Sequence, residues 1–137
     1  YIKNIDHFAP LWATFFKSLA EPSNRPLVFH CTGGKDRAGV AAALILLALD
    51  VPEETVIRDH GLSNLYIAAV LEGIYDRIRT MGVDPDRISA YFTAPPNAII
   101  SVLEHLRNAY GSAANYLVSK AGLNEKLLIQ LKDDLLK

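Results

Sequence analysis

A lone cysteine, Cys31, stands six positions ahead of Arg37, with the adjacent glycines Gly33 and Gly34 between them. A thiol is a strong nucleophile only as the thiolate, and backbone N–H groups, a helix N-terminus and nearby cations bring its pKa down. An arginine at this spacing offers a planar fork that grips two phosphate oxygens, more tightly as charge builds in a transition state. The glycines let the backbone take crowded or left-handed conformations in which successive amides face one centre. The chemistry these residues suit is phosphoryl transfer through a covalent cysteinyl-phosphate. Cys31 is the candidate nucleophile, and Thr32, Gly33, Gly34, Lys35 and Arg37 are the candidate anion-binding groups.

Such a site needs elements to hold it. A short apolar run after Pro26, Leu27 to His30, precedes the loop, and a long apolar segment from Ala41 to Leu49 follows it. That order predicts a central buried strand, a tight loop and a buried helix. A loop entering a helix N-terminus gathers N–H groups, and the helix dipole adds about half a positive charge. A nucleotide-binding loop of Walker type is excluded. It requires glycine five residues before the Gly34-Lys35 pair and Ser or Thr after it, where this chain has Phe29 and Asp36.

His30-Cys31-x-x-Gly34-Lys35-Asp36-Arg37-x-Gly39 resembles the signature of the Cys-based protein tyrosine phosphatases, above all the bacterial branch whose loop reads HCxxGKDRTG. Asp59-x-x-Leu62-Ser63-Asn64, Tyr110-Gly111-Ser112 and Tyr116-Leu117 are similar to downstream parts of that branch, so the likeness covers most of the chain. The resemblance implies an α/β fold with a mostly parallel central sheet flanked by helices. This chain would supply the strand into the phosphate loop and the helical C-terminal part. The implied substrates are phosphotyrosine, with phosphoserine and phosphoinositides also used in the branch, and no cofactor is implied. His30 and Gly39 take supporting roles in the loop by the same likeness. Lys35 would add positive charge beside a bound phosphate. Asp59 and Asn64 sit where the family has Asp and Asn, either capping locally or steadying the catalytic loop from behind.

Two departures from the family pattern matter. The residue after the arginine is usually Thr or Ser, whose hydroxyl helps the sulfur leave; here it is Ala38, so slower breakdown of the cysteinyl-phosphate is expected. The usual general acid is an aspartate upstream, yet only 30 residues precede Cys31. Asp36 either pairs with a neighbouring Lys or Arg or transfers protons in that acid's place. A phosphate-binding pseudophosphatase with little turnover is the alternative these departures leave open.

At 137 residues, half of them apolar, the chain is expected to form a single domain with a real core. A formal net charge of −1 gives no basic face for nucleic acid. His7, His30, His60 and His105 are scattered, and with one cysteine no metal site is expected. No apolar run reaches membrane-spanning length. The chain opens at Tyr1 and shows one convincing strand, so a preceding segment is expected to carry the other strands and the acid loop, and to associate with this part. The residues do not fix a compartment; the cytoplasm is favoured and secretion stays open.

The remaining elements are predicted as helices. One runs from Asp6, as cap, to Ala20, with Trp12 and the Phe15-Phe16 pair in the core. Pro52 starts another that carries Thr55 to His60 and then Leu62 to Thr80 around Gly61. Tyr91 to Pro96 is predicted extended, with Tyr91 and Phe92 packing the next helix start or lining a substrate entrance. Helices follow over Asn97–Tyr110 and 111–122, and Asn124 caps the last one, whose solvated side carries Lys132, Asp133, Asp134 and Lys137.

Overall fold

Apolar spacing of helical period is realised throughout. The computed structural model describes residues 1–136, and Lys137 lies outside them. Seven α-helices occur there: α1 (Ile2–His7), α2 (Ala9–Ala20), α3 (Arg37–Ala48), α4 (Glu53–Thr80), α5 (Pro96–Tyr110), α6 (Ala113–Ser119) and α7 (Glu125–Leu135). Single 3-10 turns occupy Pro22–Asn24, Pro85–Arg87 and Ser89–Tyr91.

The core gathers around α3, which packs on α4, α5 and α6. Val40 and Leu44 of α3 are fully buried, as are Ile5, Ile99, Val102 and Leu117. Burying a side chain such as Leu44 contributes about 2 kcal/mol from the removal of apolar surface alone. In α5, Ile99, Val102, Leu103 and Leu106 recur at helical spacing and form the buried face. Tyr116 of α6 is also fully buried, and its hydroxyl donates to the Ile5 carbonyl at 2.6 Å, tying α6 to α1. No helix among the described residues is long and apolar enough to cross a membrane.

Several expectations need correction. Leu27–His30 has no regular secondary structure, and no strand occurs among the described residues. A ladder needs a neighbouring chain to exchange backbone hydrogen bonds, and none of the described residues provides one. Val28 is 88 % exposed, so the segment is not buried here. The first predicted helix is two, broken at Phe8, with Pro10 in the first turn of α2. Asp6 lies inside α1 and caps nothing. Its carboxylate instead accepts hydrogen bonds from His105 Nε2 at 2.9 Å and Tyr110 Oη at 2.8 Å, joining α1 to α5. Gly61 does not interrupt α4, which runs unbroken for 28 residues. A helical glycine costs only about 1 kcal/mol relative to alanine, which long flanking helices readily offset. Of the segment expected to be extended from Tyr91 to Pro96, Tyr91 ends a 3-10 turn begun at Ser89, Phe92 and Thr93 continue in a turn and a bend, and Pro96 already begins α5. Asn124 does cap α7, accepting from the Lys126 amide. On that helix Lys132 pairs with Asp50 and Asp134 with Arg25.

Candidate phosphate-binding site

Residues 31–36 form an irregular loop that delivers the chain into the N-terminus of α3 at Arg37. Gly34 sits at φ +69°, a left-handed conformation in which any side chain would be strained. With that bend the amides of Ala38, Gly34, Gly33 and Asp36 turn toward the Cys31 sulfur. Burial is the largest single influence on the thiol and opposes its ionisation. The four amides together outweigh it and hold Cys31 below the ordinary thiol value of 9.0.

Arg37 is exposed, and its Nη2 lies 3.4 Å from Thr32 Oγ1, so the guanidinium folds back toward the start of the loop. Lys35 behaves differently. It is only 4 % exposed, and its ammonium donates to both Asp36 oxygens, at 2.7 and 2.9 Å. Asp36 also accepts from the Tyr1 hydroxyl at 2.5 Å. Burial raises the Asp36 carboxyl, but the hydrogen bonds from Lys35 and Tyr1 prevail and keep it below the usual carboxylate range. Of the two roles open to Asp36, pairing is the one its contacts display. Tyr1 is held strongly protonated, by burial first and then by the neighbouring Asp36 carboxylate.

Beneath this cluster lies His60 on α4, 4 % exposed, with neither ring nitrogen hydrogen-bonded among the described residues. Its ring packs edge-on against Tyr1 and so close to Gly39 that a Cβ there would meet Nδ1 at 2.7 Å. At Gly39, therefore, α3 lies so close to the His60 ring of α4 that a side chain there would collide with it. Burial lowers the His60 pKa, with Asp36 and Asp59 opposing and Lys35 reinforcing. Because the folded value lies below the ordinary 6.5, the unfolded chain takes up the proton first. This contribution to stability is fully present above the unfolded value and is lost as pH falls through it toward the folded one. Urea midpoints are expected to drop as pH is lowered from neutrality, and His60→Leu to flatten that dependence.

The other expected residues divide. His30 is exposed rather than a core imidazole; its Nδ1 lies 3.3 Å from the Cys31 carbonyl oxygen, and it lines a cavity of about 610 Å³ with Arg37, Ala38, Trp12, Phe15 and Phe29. Asp59 is exposed and has no hydrogen bond among the described residues, so it reaches the loop only through its charge near His60. The hydrogen bonds of Asn64 go to the return of the chain after α4. Its side chain donates to the Ala94 carbonyl at 2.9 Å and accepts from the Ala94 amide at 2.7 Å. Ala94 is fully buried, so Asn64→Ala would strand two backbone groups and is expected to cost about 1–3 kcal/mol in chemical denaturation. Exchange protection of the Ala94 amide should fall with it.

Tyr1 and His60 were not singled out from sequence. Tyr1 belongs to no pattern. His60 had a weak signal, lying four residues after Val56 on the buried face of α4.

A sequence model of the tyrosine phosphatase family matches residues 1–137. The chain belongs to that family. A tyrosine-protein phosphatase of Nostoc commune is 27 % identical over 137 residues, covering 96 % of this chain and 46 % of its own length. The triple specificity protein phosphatase PtpB of Mycobacterium tuberculosis is 28 % identical over 126 residues, covering 83 % and 45 %. This tyrosine phosphatase family member thus spans about half the length of these relatives.

Proposed function

We propose that the chain carries the nucleophile and phosphate-binding loop of a protein tyrosine phosphatase. The observation that carries this reading is the set of four amides turned on Cys31 at the start of α3, with Arg37 folded toward the same loop. In the proposed reaction the Cys31 thiolate attacks phosphorus in line, forming the S–P bond as the ester P–O bond breaks. The departing oxygen takes a proton from solvent water. Arg37 and the loop amides hold the equatorial oxygens as charge spreads over them. Water then attacks phosphorus, the S–P bond breaks, and inorganic phosphate leaves with the thiolate restored.

Asp36, held ionised by Lys35 and Tyr1, is suited to bracing the loop and poorly suited to giving a proton. The Lys35 ammonium is engaged by the same carboxylate, which favours a phosphoprotein over an inositol ring bearing extra phosphates. A range wider than phosphotyrosine remains part of the proposal, since one relative is named as triple specificity. The apolar Leu27–His30 segment, with Val28 bare to solvent, is suited to join a parallel sheet whose other strands come from residues outside this chain.

Ala38 offers no hydroxyl to the departing sulfur, so the cysteinyl-phosphate should accumulate. Acid quenching during turnover of an aryl phosphate is expected to trap one phosphoryl group on the peptide containing Cys31. The same feature favours the second reading, a pseudophosphatase. Saturable phosphate binding with neither trapped phosphocysteine nor released phosphate would establish that reading instead.

A further inference from the structure

Between Leu65 and Thr93 the chain leaves the helical core and returns as an arm. Its outward limb is the distal half of α4, and its return limb runs through the two 3-10 turns. Tyr75 and Phe92 pack edge to face at 6.2 Å between the limbs, and the Asn64–Ala94 pair closes the root. The two aromatics expected to share one role are therefore separated: Phe92 turns into the arm, and Tyr91 turns away from it. The return limb brings Ala90 and Tyr91 to Lys35 and Asp36, and these four residues line a cavity of about 320 Å³ beside the phosphate loop. Tyr91 is 79 % exposed, and no other ring packs on it among the described residues.

We propose that Tyr91 is a specificity-determining residue, one wall of the substrate entrance that stacks on the ring of an aryl phosphate seated in the loop. This rests on the phosphatase reading and adds to it the residue that separates aryl from alkyl esters. An aromatic wall favours another ring in offset or edge-to-face contact, beyond the area either buries. An alkyl phosphate, having no π face, gains nothing from it. The position suits the role, because the ring borders the same cavity as two residues of the phosphate loop while its own faces remain uncovered.

The test is protection of Cys31 from iodoacetate by phenylphosphonate and by methylphosphonate, neither of which is turned over. It is run on the full chain and on Tyr91→Phe, Tyr91→Leu and Tyr91→Ala. Phenylphosphonate is expected to protect at lower concentration than methylphosphonate in the parent. The Leu and Ala variants should lose about two- to tenfold of that preference. Tyr91→Phe should keep it, and methylphosphonate should protect all four proteins alike. An undiminished preference in Tyr91→Leu and Tyr91→Ala overturns the wall and leaves the phosphate site standing. Equal weakening of both phosphonates also overturns it, because Tyr91 then only shapes the loop. If neither compound protects the parent, this inference and the phosphatase reading fall together.

Discussion

Cys31→Ser is expected to lower turnover of an aryl phosphate by more than about a thousandfold, while inorganic phosphate still binds. The four amides facing Cys31 favour the anion at that atom, and a thiol begins close enough to neutrality for them to matter. A serine hydroxyl ionises so far above neutral pH that the same donors leave it protonated. The proposed seat for the phosphate consists of the Gly33, Gly34, Asp36 and Ala38 backbone together with Arg37, none of which the substitution removes. Steady-state assay beside phosphate titration checks both halves. Residual turnover within tenfold of the parent would remove Cys31 from the chemistry. The parent should also react with iodoacetate at pH values where ordinary thiols are inert, because its pKa lies below theirs.

Arg37→Lys should lower kcat by about a hundredfold, with a smaller change in KM. Lysine keeps the charge but replaces a planar two-pronged donor by a point charge on a flexible stem. Geometry sharpens the loss. The guanidinium reaches Thr32 at the opposite end of the loop, so a substitution here also releases the link across the loop mouth. Loss confined to KM, with kcat unchanged, would mean that Arg37 binds the ground state and transition state alike. Restoration of rate by added guanidinium in Arg37→Ala would support the assigned role.

The loop that enters α3 was legible because its determinants are local. The bend at Gly34 and the spacing from Cys31 to Arg37 are set within one short stretch. Backbone amides at a helix start must point somewhere even before the rest of the chain is placed. The helices were legible for a similar reason, since periods such as Ile99, Val102, Leu103 and Leu106 declare their buried face. Boundaries were less so. The break at Phe8 divided what the spacing read as one helix from Asp6 to Ala20, whereas at Gly61 one residue of weak propensity is outvoted by a long helix that packs on α3 and α5.

Other features needed the folded chain. The roles of Asp6 and Asp36 depend on partners distant in sequence: His105 lies 99 residues from Asp6, and Tyr1 lies 35 from Asp36. No period or spacing records such a meeting. The sequence offered Asn64 as a cap or a support for the loop, and only the fold shows that its side chain bonds the backbone of Ala94, 30 residues on. The Tyr91-Phe92 pair divided only once the arm was built, one ring against Tyr75 and the other at the cavity beside Lys35 and Asp36. By itself the sequence determined the family, the helical character of most of the chain and the spacing of Cys31 from Arg37 on which the proposed chemistry rests, all properties of neighbours along the backbone. Only the tertiary structure decided that Lys35 turns to Asp36 and that, among the described residues, His60 lies without a hydrogen-bond partner against Gly39 and Leu27–His30 has no strand beside it. Those outcomes depend on which distant groups share a space from which water is excluded.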